Sequence, residues 1–458
     1  MKFQEGTEML DASVRLLGVY SLCDECLGRQ FAWLGTNVTN SERGHSIKLF
    51  VTMMADEKLR TTHSEDGKQL ISILAGNGMF EPARLLAEKY SIEYLLRGQC
   101  DLCTIAGKSL FHQLPEIAQM AVDNLQDIEF SSFLVGCVPS PALAEKEEEL
   151  RAVQGLIHGE TLKSNFNREL GKLLGRMLKR EVEFEKPDVV VIYDMITGSV
   201  GIEINPVFIY GRYRKLVRGM PQSRWDCQTC HGKGCDLCKG TGRLYPDSVA
   251  EYVGEPMKEA ARASGYKFHA AGREDIDAVM LGSGRPFVVE ISRPRTRRLD
   301  LTKLADEVNR RAMGKVEVEG LDYTDRARGQ ELKEKSSENV KEYTALIETE
   351  SEVTESNLKG AQDRLQDIVI EQRTPNRVAH RRSDRIRKKR VHEVRLAPID
   401  SHHLSGFFRV QGGTYVKELI SGDDGRTRPS IAELLNTGCK CVELSVVAVS
   451  EAETDHNA

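Results

Sequence analysis

Residues 271–287 read Ala-Gly-Arg-Glu-Asp-Ile-Asp-Ala-Val-Met-Leu-Gly-Ser-Gly-Arg-Pro-Phe, a stretch that two different structures would satisfy. In the first, Gly282, Gly284 and Pro286 punctuate a turn. Met280-Leu281 and Phe287–Ile291 are then short strands on either side, and Asp275 and Asp277 are solvated loop acids. In the second, Asp275 directly follows the pair Arg273-Glu274 and precedes a glycine-studded apolar run that must be backbone-tight. One carboxylate is then held out for chemistry. Spacing alone leaves the choice open.

Upstream, Ile202, Ile204, Val207 and Ile209 alternate and lead into Gly211-Arg-Tyr-Arg-Lys-Leu-Val-Arg218, a basic strand interleaved with tyrosine. Next comes Cys227-Gln-Thr-Cys230-His-Gly-Lys-Gly-Cys235-Asp-Leu-Cys238, two CxxC turns four residues apart. Each such turn points two thiolates at one ion, and two turns complete a tetrahedral zinc shell, which makes His231 a spacer. Cys23-Asp-Glu-Cys26 and Cys100-Asp-Leu-Cys103 form a second candidate zinc site, closed only by tertiary folding. Four-cysteine sites leave no open coordination position, so both are expected to be structural. A rival reading takes His63-Ser-Glu65 with Cys100 and Cys103 as a zinc deaminase centre. Gln99 stands where such a centre has proline, and Cys23 and Cys26 are better partners.

The chain has 458 residues, which suggests two to four domains, and 29% charged against 40% hydrophobic residues suits globular structure. Its start lacks the basic and apolar regions of a signal peptide, and no apolar run reaches membrane-spanning length. A cytoplasmic protein is expected. Eleven cysteines in such a protein, eight of them in CxxC pairs, point to metal rather than disulfides. The net charge of -5 excludes a globally basic nucleic-acid binder, so any attraction to phosphate must come from local clusters.

Helical patterns cover 41–60, 65–90 and 141–180, and Phe133–Cys137 and Val189–Tyr193 read as strands. A mixed α/β domain is therefore expected over 1–195. A second domain is expected over 196–458, with the compact cysteine site as an insertion at about 225–242. Three basic stretches fall in that second part: 212–224, Arg293–Arg298 and Gln372–Arg390. From Arg373 to Arg390 nine residues are Arg or Lys and only Asp384 is acidic. Arg212, Arg214, Lys215, Arg218, Arg381, Arg382, Arg385 and Arg387 are the expected RNA contacts.

Five segments, spread over nearly the whole length, carry a family resemblance. They are the paired CDEC and CDLC, GRYRKLVRGMPQSRW at 211–225, the second cysteine motif, GREDIDAVMLGSGRPF at 272–287 and GGTYVKELISGDDGRTRPS at 412–430. Together they resemble the pseudouridine synthase 10 family, specifically archaeal tRNA pseudouridine synthases of the TΨC arm. The resemblance implies an α+β fold: a pseudouridine synthase core with a mixed, largely antiparallel sheet, preceded by a zinc-containing THUMP-like accessory domain that binds tRNA. It also implies isomerisation of uridine, at tRNA positions 54 and 55, with two structural zinc ions and neither a catalytic cofactor nor an obligatory protein partner.

Arg273-Glu274-Asp275 matches the family's Arg-x-Asp, which makes Asp275 the implied catalytic residue and Asp277 its competitor. Lys341-Glu-Tyr343 matches Lys-x-Tyr, and Gly413-Thr-Tyr415-Val-Lys417-Glu-Leu419 matches the motif that ends Arg/Lys-x-Leu. Tyr343, Tyr415 and Lys417 are thereby implied to bind substrate, with Lys417 aiming the aspartate through charge rather than the two-pronged pairing of arginine. Ala278-Val279 departs from the expected Val-Arg. A zinc-stabilised tRNA-binding module or RNA chaperone without catalysis is the alternative, and it would not require Asp275, Tyr343 and Tyr415 together.

Overall fold

The computed structural model describes residues 8–335 and 338–450, with the side chain of Arg381 outside the described ones. The chain divides into two units, the first ending at Asn205 and the second starting at Pro206. No helix among the described residues is long and apolar enough to cross a membrane.

In the first unit, the helix Asn40–Thr62 starts at a capping box: the Thr39 hydroxyl accepts from the Glu42 amide, and the Glu42 carboxylate accepts from the Thr39 amide. The helical pattern at 65–90 splits into Glu65–Gly76 and Glu81–Lys89, because Asn77-Gly78 ends the first helix and Pro82 sits in the first turn of the second. Residues 141–180 split likewise into Pro141–Gln154 and Leu162–Leu178, since Gly155 takes a left-handed φ of 62°. The strands Ser132–Val138 and Val189–Asp194 pair in parallel, flanked by Glu181–Val182 and Ser199–Ile204. Phe133, Val135 and Cys137 are buried at every second position, as are Val189, Val191 and Tyr193. Ser199–Ile204 pairs residue for residue with Asp194–Val189, so Ile202 and Ile204 belong to this sheet and not to the basic strand that follows. The break falls at Asn205-Pro206, ten residues after the boundary expected from sequence.

The second unit is built on a ten-stranded sheet. Its order is Val316–Thr324, Val207–Lys215, Val279–Ser292, Cys439–Val449, Val340–Thr349, His403–Gln411, Ile386–Pro398, Ile368–Arg373 and Thr427–Arg428, with Gly265–Ala270 also paired to Val279–Ser292. Every pairing is antiparallel except that of Cys439–Val449 with Val279–Ser292, so the sheet is mixed and largely antiparallel as expected. Two apolar cores form on it. One packs the helices Val249–Ala260 and Leu301–Ala312, and the other packs Glu355–Arg364, Val416–Ser421 and Ile431–Leu435. Tyr343 packs against both.

The glycine-rich stretch after Asp275 is not the turn of a hairpin. It lies inside one 14-residue strand, Val279–Ser292, which bulges where its partner register jumps from Tyr213↔Arg285 to Lys215↔Met280. Gly282 has φ 55°, and a Cβ there would lie 1.9 Å from the Val447 carbonyl oxygen. The strand survives because glycine alone tolerates both the dihedral and the close approach. Gly282→Ala is expected to cost about 2–4 kcal/mol, seen as a lower denaturant midpoint at unchanged m.

Candidate active site

The loop 271–278 runs between two strands and has few backbone partners of its own, so side chains hold its carbonyls. Arg285 Nη1 donates to Ala271 O at 2.7 Å, Gln222 Nε2 to Gly272 O at 2.9 Å, and Arg218 Nη1 to Asp277 O at 2.7 Å. Lys215 Nζ donates to Asp275 O and Ile276 O at 3.1 and 3.2 Å, and to Met220 O at 2.9 Å. Glu274 points inward and is fully buried, where it accepts from the Tyr213 hydroxyl at 2.8 Å and pairs with Arg285 at 3.0 Å. A buried carboxylate survives only with such partners. Anchoring Glu274 turns the next side chain, Asp275, to the accessible side.

Asp275 is 31% exposed. Arg377 Nη1 lies 3.0 Å from its Oδ1, and Lys417 Nζ lies 3.7 Å from its Oδ2. Lys417 is held more closely by Asp277, at 2.6 Å. Arg377, which the sequence counted only as part of a basic run, thus makes the closer contact to Asp275, while Lys417 is shared between the two aspartates. Arg377 is itself fixed by Glu418 at 2.6 Å and stands over the Tyr415 ring, 5.9 Å from its centroid. Buried Gln372 clamps both backbone groups of Tyr415, accepting from its amide at 2.9 Å and donating to its carbonyl at 3.0 Å.

Tyr343 approaches from the strand Val340–Thr349. Burial pushes its phenol up to about 12, against the Arg285 guanidinium and together with the Asp275 and Glu274 carboxylates. At neutral pH it is a proton donor and an apolar plate, not a base. Two positions earlier, Lys341 is 6% exposed and its ammonium has no hydrogen-bond acceptor among the described residues. Burial, with Arg285 and Lys389 reinforcing it and Glu274 opposing, lowers Lys341 from 10.5 to about 7. The unfolded chain therefore holds this proton more tightly, and the folded state gains stability as pH rises from 7 towards 10.5. Relative to Lys341→Met, the wild type is expected to gain about 3 kcal/mol between pH 6 and pH 9 in paired denaturant unfolding. A pH-independent difference would contradict a neutral lysine.

The expected RNA contacts separate. Lys215 is fully buried and spends its ammonium on three carbonyls, so it is not presented to phosphate; strand alternation turns it inward together with Tyr213. Arg212 binds the carbonyls of Ser283, Gly284 and Val449, Arg214 pairs with Glu317 and Glu319, and Arg218 adds Leu444 O and Glu443 to its Asp277 contact. Arg385 and Arg382 are exposed, the latter donating to the Tyr415 hydroxyl at 3.2 Å, while Arg387 is half-buried against Thr374. Arg381 lies outside the described side chains.

The eight CxxC cysteines form two clusters: Cys23, Cys26, Cys100 and Cys103 in the first unit, and Cys227, Cys230, Cys235 and Cys238 in the second. Sulfur separations of 3.7 Å (Cys23–Cys103, Cys235–Cys238) and 3.8 Å (Cys227–Cys235, Cys230–Cys238) define tetrahedral edges. The centre of such a tetrahedron lies about 2.3 Å from each sulfur, the length of a zinc–thiolate bond. Amides of Gly234, Cys235 and Gly242 support the Cys230 and Cys238 sulfurs at 3.2 Å. Both clusters can therefore hold a metal ion. His63 caps the helix Asn40–Thr62 and takes no part in the first cluster, which removes the deaminase reading.

Residues 208–450 match the family model for the C-terminal part of Pus10, and 117–194 match that for the archaeal Pus10 THUMP domain. The tRNA pseudouridine synthase Pus10 of Methanothrix thermoacetophila is 46% identical over 97% of this chain and 95% of its own. The chain belongs to the Pus10 family. Family members carrying the same name from Methanopyrus kandleri and Methanocaldococcus jannaschii are 39% and 38% identical, over 96% and 97% of this chain and 98% and 96% of theirs. Among solved structures, a chain of a Cbf5-Nop10-Gar1 complex aligns with 42% of this chain and 43% of its own at 17% identity, with a TM-score of 0.27.

Proposed function

We propose that this chain isomerises uridine to pseudouridine in the TΨC arm of tRNA, at positions 54 and 55, with Asp275 as the catalytic residue. The observation that carries this is the partly exposed Asp275 carboxylate, 3.0 Å from Arg377, which also stands over the Tyr415 ring, and 3.7 Å from Lys417, with its charge acting on Tyr343, in a chain of the Pus10 family. The reaction breaks the bond between the ribose anomeric carbon and uracil N1 and forms one from that carbon to C5. C5 gives up a proton and N1 gains one, so no redox partner or group donor is consumed. An ionised carboxylate supplies what the sugar needs as positive charge develops on it.

A stacked uridine must leave its helix to reach Asp275, and aromatic faces replace the stacking it loses. Tyr415 and Tyr343 serve this purpose, the Tyr343 phenol remaining protonated throughout the physiological range. Exposed Arg382 and Arg385 meet backbone phosphates near the target, and the first unit grips the tRNA elsewhere, which positions without reading sequence. Both cysteine clusters hold structural zinc, and the protein works in the cytoplasm. The deciding experiment incubates the purified protein with an unmodified tRNA transcript and no added cofactor, then maps pseudouridine. Product at positions 54 and 55 is expected; a transcript bound but unmodified would instead make this a binding module.

A further inference from the structure

The residues just before Asp275 are held by the chain that enters the cysteine insertion in the second unit. On the entering side, buried Gln222 donates to Gly272 O at 2.9 Å and to the Tyr213 hydroxyl at 2.7 Å, and that hydroxyl in turn holds Glu274. Three residues later the Trp225 ring faces the Arg273 guanidinium at 5.1 Å. Gly272, Arg273 and Glu274 are thus each tied, directly or through Tyr213, to the chain that enters the cysteine module.

The neck of the module is a short antiparallel closure. Leu244 N donates to Trp225 O at 3.0 Å, Asp226 bridges to Arg243, and Cys227 N donates to Gly242 O at 2.8 Å. Tyr245 completes it by meeting the Trp225 ring edge-on at 5.7 Å. Beyond the neck there is no apolar core: residues 227–243 are mainly glycine, polar and charged, and the one leucine, Leu237, is 74% exposed. A segment of this composition stays folded only through its metal.

We infer that Trp225 and Gln222 are positioning residues through which the metal-bound cysteine module sets the Arg273–Asp275 loop. The inference rests on Asp275 being the catalytic residue. The ion closes the neck, the neck orients Trp225, and the ring face holds Arg273 by cation–π attraction. Loss of the ion releases that contact without touching Asp275, Tyr343 or Tyr415. Displacement of a reacting group by about 1 Å costs up to ~10²-fold in rate, so a remote contact of this kind reads in kcat.

The test uses the full chain carrying Trp33→Phe, which leaves Trp225 as its single tryptophan. Zinc content, tryptophan emission, and kcat and KM on tRNA transcript are measured for this parent, for Trp225→Ala, for Trp225→Phe and for the pair Cys230→Ser with Cys238→Ser. Trp225→Ala should keep both zinc equivalents and its KM, lose about tenfold or more in kcat, and recover most of that loss as Trp225→Phe. The cysteine pair should lose one zinc equivalent, shift Trp225 emission to the red and lower kcat to a similar degree. Adding Trp225→Ala to the cysteine pair should cost nothing more. An unchanged kcat in Trp225→Ala, a loss confined to KM, or additive losses would overturn the inference, and a KM loss would make the module an RNA contact. If Asp275→Asn stayed active, the assignment of Asp275 would fail by itself, while the emission shift on zinc loss would still report whether module and neck are coupled.

Discussion

Asp275→Asn is expected to bind tRNA within about threefold of wild type and to form pseudouridine ~10³-fold or more slowly in single-turnover assays. The amide is nearly isosteric and can still accept from Arg377, so the loop keeps its shape. What it lacks is the negative charge that the proposed mechanism places beside the ribose, needed only as positive charge builds there. That interaction belongs to the transition state, and its loss falls on kcat rather than on affinity. Asp277→Asn is the matched control. Its carboxylate is 68% exposed, and its closest partner, Lys417, already lies 3.7 Å from Asp275. Freed from Asp277, Lys417 turns to the neighbouring carboxylate, and the loss stays under about tenfold. An active Asp275→Asn enzyme, or equal losses in the two variants, would remove Asp275 from the chemistry.

Replacing Cys100 and Cys103 together by serine is expected to unfold the N-terminal part of the first unit. Cys26, Cys100 and Cys103 are buried beside Leu22, Leu102 and Leu110, so without an ion this core must bury unmatched polar groups. Four-thiolate zinc binding contributes about 10–16 kcal/mol in small metal-folded peptides, against roughly 5–15 kcal/mol for the net stability of a whole domain. The variant should carry one zinc equivalent fewer and be cleaved by protease within residues 20–112, while the second unit, with its own cores, keeps its unfolding transition. Affinity for tRNA should fall at least tenfold if the first unit supplies the outer grip. Wild-type protease resistance would mean that the long-range cysteine site does not organise this unit.

Features with a local signature were readable from the sequence, and those made by tertiary contact were not. CxxC turns declare their chemistry in four residues, and both four-cysteine clusters assembled as paired. The short apolar runs Phe133–Cys137 and Val189–Tyr193 gave the right strands, and in the structure burial alternates along each of them. Gly282 and Gly284 left a hairpin turn open as one of two readings, and in the structure they permit a bulge inside one strand instead. Lys215 was readable in principle: it lies two positions from Tyr213 on one strand, and a buried tyrosine at that spacing turns the lysine inward. Gly155 and Asn77-Gly78 likewise carried the signal for the helix breaks. Nothing local marks Arg377 as the partner of Asp275, or Gln222 and Trp225 as supports of its loop, because those contacts span distant segments.

The strand Cys439–Val449 lies between Val279–Ser292 and Val340–Thr349, and it makes the sheet's single parallel pairing. The loop bearing Asp275 lies on one side of that seam, and Tyr343, Tyr415 and Lys417 lie on the other. During synthesis, all four residues proposed to surround the uridine are therefore made before the strand that joins the two halves. On the proposed assignment the site is complete only once this strand has paired with both halves, and pairings this distant in sequence form late and slowly.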